Sequence, residues 1–209
     1  IIILKMTDNR EILKFFPQPI FKYKMNNYQE WNSQLLDYIY DLKKNDEIGL
    51  ERSNISGWHS KPFDLKKKDS IQHKFFLAIT SYIFDVFKNY GWKANPERII
   101  CSEMWAIINK KNNFNILHTH PNSYLSAAYY VKTTKECGKF MIEDPLSVSR
   151  HNYPIIEKKT ELNVKTVGLE VEEGDLLIFP AYLPHKVGMN KTDKDRVVVS
   201  FNININNFK

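Results

Sequence analysis

A chain of 209 residues with 43% hydrophobic and 26% charged side chains has the composition of a folded globular domain, which excludes wholesale disorder. Only seven glycines and nine prolines are present, so a collagen-like or linker-dominated chain is excluded too. The net charge of +6 rests on 30 basic and 24 acidic side chains, and the runs Lys66-Lys67-Lys68 and Lys110-Lys111 read as solvated faces rather than a nucleic-acid site.

Residues 1–4 are apolar but too short for a leader core, and no basic residue precedes them, so a cytoplasmic protein is expected. No apolar run approaches the ~20 residues of a membrane span. The first predicted helix covers residues 27–44, where Trp31, Leu35, Ile39 and Leu42 recur at three- and four-residue steps. A polar loop follows, Arg52 to Ser60, holding Trp58 and His59. The second helix starts at Asp69 or Ser70 and runs to Tyr90, with Phe75, Phe76, Ile79, Ile83, Val86 and Phe87 on one stripe and Gly91 as its stop. From there the chain reads as strands over 98–109, 124–132, 139–143, 163–171, 175–179 and 196–204. In the second of these Leu125, Ala127, Tyr129 and Val131 alternate with Tyr124, Ser126, Ala128 and Tyr130. Strands without intervening helices favour an antiparallel sandwich or jelly roll with the helices outside, in one domain over residues 1–209. Cys101 and Cys137 make no disulfide framework and read as buried thiols of a reducing compartment.

The chemistry concentrates in the histidines. In His118-Thr119-His120 the two imidazoles stand at i and i+2, on one side of an extended segment, where they can share a metal ion. His185, presented after a strand and a turn with two prolines, is the best third ligand. Imidazole suits iron, zinc, copper and nickel alike. His73 reads as helix filler, and His59 and His151 sit in polar loops. Arg196 opens an apolar strand eleven residues after His185. It is either a solvated edge residue or a buried guanidinium that grips a carboxylate. In the second case the parts are those that hold a dicarboxylate across a metal.

These segments together resemble the iron(II)- and 2-oxoglutarate-dependent dioxygenases, in a branch similar to prolyl 4-hydroxylases and common in marine bacteria and their phages. The resemblance is carried by Phe16-Pro17-Gln18-Pro19-Ile20, by Ser53 to Ser60, by Glu103-Met104-Trp105, by His118 to Tyr130, by Gly174 to Pro180 with Leu183-Pro184-His185, and by Arg196 to Asn202. It implies a mainly β fold with flanking helices, a double-stranded β-helix (jelly roll), with Fe(II) held by His118 and His185. Where the wider superfamily places Asp or Glu two residues after the first histidine, this chain has His120. Either His120 is the third ligand or Asp144 replaces it; the i+2 position favours His120, since Asp144 precedes Pro145 in a turn. The resemblance further implies that Arg196 binds the distal carboxylate of 2-oxoglutarate and that Tyr130 bonds the same group, a packed core aromatic being the other reading of Tyr130; Ser126, four residues earlier on the same face, and Ser200 are placed to add hydroxyls. Trp105 and Asn202 either line the pocket or only fill space, and the Gly57-Trp58 loop either covers the site or touches substrate, a surface-anchoring tryptophan being the plainer alternative. The implied activity is hydroxylation of a peptidyl proline or another amino-acid side chain, with release of succinate and carbon dioxide. Three other readings stand beside it: a three-histidine cupin-type dioxygenase without 2-oxoglutarate, a non-enzymatic jelly-roll binding module, and a nucleic-acid demethylase of the same chemistry.

Overall fold

The computed structural model describes residues 11–93, 95, 98–146 and 154–206; the apolar start at residues 1–4 and His151 lie outside them. Among these residues no helix is long and apolar enough to cross a membrane. In chain order the elements are β1 (Phe21–Lys24), α1 (Tyr28–Asn45), β2 (Asn54–Ile55), β3 (Trp58–His59), α2 (Ile71–Asn89), β4 (Ile99–Asn109), β5 (Phe114–His118), β6 (Leu125–Lys132), β7 (Phe140–Glu143), β8 (Thr166–Leu169), β9 (Asp175–Pro180), β10 (His185–Val187) and β11 (Arg196–Ile205). They form a six-stranded sheet, ordered β1-β9-β6-β11-β4-β3, and a five-stranded sheet, ordered β2-β5-β10-β7-β8. Every strand pairing is antiparallel.

The alternation along β6 sorts the core into two layers. Leu125, Ala127, Tyr129 and Val131 face outward from the larger sheet and pack with Leu35 and Ile39 of α1 and Phe75, Ile79, Ile83 and Val86 of α2. Tyr129 donates its hydroxyl to Asn32 Oδ1 of α1 at 2.6 Å, which satisfies a polar atom inside that layer. Ala128 and Tyr130 face the other way and join Leu177, Phe179, Val198 and, from the smaller sheet, Phe140. The helices match the periodicity closely. Ser70 caps α2, its hydroxyl accepting the His73 N–H, and Gly91 stands beyond its end at φ +65°. Gly174 at φ +82° makes the turn into β9, where a Cβ would lie 2.4 Å from the Tyr28 ring.

Five strands escape the sequence pattern: β1, β2, β3, β5 and β10. They are two to five residues long and mix polar with apolar side chains, so no alternation accumulates. One expectation is corrected. The Gly57-Trp58 segment is neither a lid nor a substrate contact at Trp58. Strand β3 pairs with β4, and Trp58 is buried in the core with its indole Nε1–H donating to Asp46 O at 2.7 Å. The two cysteines are free thiols, Cys137 buried and Cys101 half-buried.

Candidate metal centre and its cavity

The smaller sheet brings the histidines together. His118 ends β5 and His185 begins β10, and the two are directly paired across the strands. His120 follows two residues after His118, with its backbone N–H bonded to Ala181 O at 2.9 Å, so the turn before His185 holds it in place. One nitrogen from each of the three rings lies within 4.8 Å of the others. The Nε2 atoms of His120 and His185 are 3.3 Å apart. Imidazole nitrogens bound at about 2.1 Å to one ion stand about 3 Å apart when adjacent, so this spacing fits a single cation.

The second nitrogens are already committed. His118 Nδ1 lies 2.7 Å from Ile116 O and His185 Nδ1 lies 2.9 Å from Leu183 O. A carbonyl only accepts, so each Nδ1 carries the proton and each Nε2 is left bare toward its neighbours. Burial keeps all three rings neutral: it pushes His185 down to about 3 and His120 to about 4, each helped by the neighbouring His118, and it lowers His118. A neutral ring is the form that ligates. Among the described residues no carboxylate joins the group. Asp144 instead accepts the Leu146 N–H through Oδ1 at 2.9 Å.

The cluster opens onto a cavity of about 380 Å³ between the sheets. Arg196, Val198, Ser200 and Asn202 alternate along β11 and all line it. Their neighbours Ile107, Trp105 and Glu103 on β4, which face Val198, Ser200 and Asn202, line it too. Arg196 is the deep end. It is 1% exposed, and its Nη1 donates to the carbonyls of Cys137, Gly138 and Gly188 at 2.9, 3.2 and 3.3 Å. Gly138 permits this approach: at φ +95°, a Cβ there would sit 2.0 Å from Gly188 O and 2.8 Å from Arg196 Nη1. Among the described residues no carboxylate pairs with Arg196, although a buried cation is costly without a counter-charge. Burial lowers its pKa, and the adjacent Tyr130 and Cys137 only partly oppose that. Tyr130 is buried beside it with its hydroxyl pKa pushed up by burial, so it is a neutral donor.

Of the residues singled out in the sequence, His118, His120, His185, Arg196, Tyr130, Ser200, Trp105 and Asn202 therefore share this cavity. Ser126 is not among the lining residues. Its hydroxyl donates to Asn202 Oδ1 at 2.7 Å and so orients that amide. His73 is elsewhere, bonded to Leu65 O. The residue sequence reasoning undervalued is His59. It lines the cavity, and its ring stacks on Trp105 at 5.6 Å and 10°, with His120 on that indole at 5.7 Å. Its place in a polar loop hid it, because a two-residue strand leaves no periodic trace.

Residues 103–202 match the family model described as "Putative 2OG-Fe(II) oxygenase". A search of curated protein sequences finds no match. Similar solved structures include HygX from Streptomyces hygroscopicus with nickel and 2-oxoglutarate bound, at 12% identity and TM-score 0.64 over 92% of this chain and 85% of that one. A prolyl-4-hydroxylase from Pseudomonas putida aligns at 10% identity and TM-score 0.62, over 90% of this chain and 94% of that one. A prolyl hydroxylase from Trichoplax adhaerens, in complex with a hypoxia inducible factor peptide fragment, aligns at 9% identity and TM-score 0.60, over 88% and 82%. At such identities these structures establish the fold, the oxygenase jelly roll. With the family match across both histidine motifs and Arg196, the segment 103–202 is an iron(II)- and 2-oxoglutarate-dependent oxygenase core.

Proposed function

We propose that the chain hydroxylates an amino-acid side chain, a peptidyl proline being the first class to test, with iron(II) on His118, His120 and His185 and 2-oxoglutarate anchored by Arg196 and Tyr130. One observation carries the reading: three neutral imidazoles and a buried, uncompensated guanidinium share one cavity. When bound, iron(II) supplies the redox chemistry that couples decarboxylation of 2-oxoglutarate to succinate with oxygenation of a C–H bond. The rest is the work of this chain's side chains. Ile116 O and Leu183 O fix the tautomers of His118 and His185. The carbonyls on Nη1 hold the Arg196 plane, which leaves the rest of the guanidinium to take a carboxylate bidentately. Tyr130 offers its hydroxyl proton to the same carboxylate, and Ser200 lies along the wall between. Phe140, Phe179 and Val198 keep this end dry, which strengthens each of those charged contacts.

A cavity of about 380 Å³ is at the low end of the ~300–1,000 Å³ typical of ligand pockets. With the cosubstrate inside, the remainder takes one side chain, and the bulk of a peptide stays outside. Succinate formation from 2-oxoglutarate with added iron(II), measured with and without proline-containing peptides, tests the reading. His118→Ala and His185→Ala are expected to abolish iron binding. Arg196→Ala is expected to weaken 2-oxoglutarate by more than ~100-fold, the size of a buried charge losing its partner. Unchanged 2-oxoglutarate affinity in Arg196→Ala would sink the anchoring role.

A further inference from the structure

The end of the cavity away from Arg196 carries polar groups that neither the imidazole cluster nor the guanidinium uses. Asn202 stands six residues along β11 from Arg196, about 20 Å at ~3.3 Å per residue, and its partner on β4 is Glu103. His59 flanks the cavity from β3, its ring on Trp105, two residues along β4 from Glu103. It is 8% exposed, its backbone pairs with Ile107, and its ring is flat against Trp105. His59 Nδ1 lies 2.7 Å from Ser60 O, so in the neutral ring the proton is on Nδ1 and Nε2 is a bare acceptor. Among the described residues nothing donates to that Nε2, and the ring lines the cavity. A bare imidazole nitrogen open to the cavity is an acceptor that a ligand's N–H satisfies. Glu103 lines the same space, and among the described residues its carboxylate pairs with no cation. Arg52, exposed, stands at the same rim with the opposite charge.

We propose that His59 and Glu103 form the substrate subsite and that it takes a cationic nitrogen donor, the ammonium or guanidinium of a lysine or arginine side chain at or beside the oxidised position. This rests on the oxygenase reading of the site and narrows its substrate class. The geometry suits the task. Trp105 lies between His59 and His120, with ring centroids 5.6 and 5.7 Å away, so a group held on His59 is beside the third imidazole rather than on it. The two ends of the cavity then carry opposite preferences: a carboxylate at Arg196 and a nitrogen cation at Glu103 and His59. Each disfavours the other's ligand, so cosubstrate and substrate enter in one orientation.

The test uses the protein loaded with 2-oxoglutarate and zinc(II) in place of iron(II), which stops turnover and permits ligand-observed NMR. The probes are n-butylammonium, 1-pentanol and pentanoate. Butylammonium is expected to bind about tenfold tighter than pentanol, with pentanoate weakest. His59→Phe and Glu103→Gln are each expected to remove most of that preference, and Arg52→Ala to increase it, with 2-oxoglutarate affinity unchanged in all three. His59→Gln, which keeps an acceptor, is expected to bind close to the parent chain and separates lost bonding from lost packing. Equal binding of the three probes, a preference for pentanoate, or indifference to both His59→Phe and Glu103→Gln overturns the subsite. Failure of the loaded protein to take up 2-oxoglutarate at all overturns the oxygenase reading itself.

Discussion

At the third ligand position the choice of imidazole over carboxylate changes the charge of the site. Two histidines and a carboxylate would leave a divalent ion with one net positive charge; His118, His120 and His185 leave it with two. One carboxylate of a dianionic cosubstrate then leaves the centre with one net positive charge, and the other is balanced by Arg196 at the far end. His120→Asp is therefore expected to separate two affinities. Metal binding is kept or tightened, because a carboxylate attracts the ion, while 2-oxoglutarate binding weakens by up to about tenfold, because the anion meets a less positive centre. Titration of each ligand by calorimetry checks both, and complete loss of metal from a folded His120→Asp protein would remove His120 from the ligand set. Much of this centre was legible beforehand, because i and i+2 spacing and a strand-ending histidine leave marks in the sequence. The i+2 spacing also favoured His120 over Asp144, while the contact that holds His120, its N–H on Ala181 O, left no mark in the sequence. His59 was hidden for the same reason, since only the pairing of β3 with β4 sets its ring on Trp105.

Among the elements, β1 shows how a short edge strand is secured without hydrophobic alternation. Lys22 and Lys24 of β1 reach Asp175 of β9 at 2.9 and 2.7 Å, and the Glu172 N–H donates to the same carboxylate at 2.8 Å. Burial alone would raise the Asp175 carboxyl; the bonds from Lys24, Lys22 and Glu172 outweigh it and hold it below the usual range. A carboxyl depressed by folding contributes stability above its unfolded value of about 3.9, and that contribution disappears as pH falls through the folded value. Asp175→Asn is expected to cost about 1.5–3 kcal/mol near neutral pH, the worth of hydrogen bonds to a charged group. It is also expected to flatten the acid end of the stability curve. Urea unfolding of both proteins at about pH 7 and about pH 3 checks this, and an equal deficit at both would remove Asp175 from the acid response. The long elements were readable in the sequence because their patterns repeat: α1, α2, β4, β6 and β11 each match their predicted spans to within a residue or so. Strand β1 was not, because its evidence is an ion pair with a residue 150 positions away in the chain.

At the scale of the whole molecule, the two sheets contribute different halves of the site. The smaller sheet supplies His118 and His185, and the larger supplies Arg196 from β11 and Tyr130 from β6. The apolar layer of Phe140, Phe179, Val198 and Leu177 already joins them, and so do the bonds from Arg196 to the carbonyls of Gly138 and Gly188 and from Asn109 to Asn115, but none of these reaches the imidazoles. A metal ion by itself ties together only the histidines of the smaller sheet and the segment holding His120. A dicarboxylate by itself meets Arg196 and Tyr130 on the larger sheet. Only the two together run from one sheet to the other, so their effects on stability are expected to exceed the sum of the separate ones. A ligand present at one hundred times its dissociation constant stabilises by about 2.7 kcal/mol, and for a chain of this size each kcal/mol moves Tm by about 2–4 °C. Metal alone is thus expected to raise Tm by roughly 5–11 °C, 2-oxoglutarate alone by little, and both by clearly more than the two shifts added. His185→Ala is expected to lose the metal shift and the excess together, while Arg196→Ala keeps the metal shift and loses only the excess. Thermal scans of the three proteins under the four ligand conditions read this directly. Strictly additive shifts would mean that the two ligands do not bridge the sheets, and that the cosubstrate's far carboxylate lies elsewhere than at Arg196.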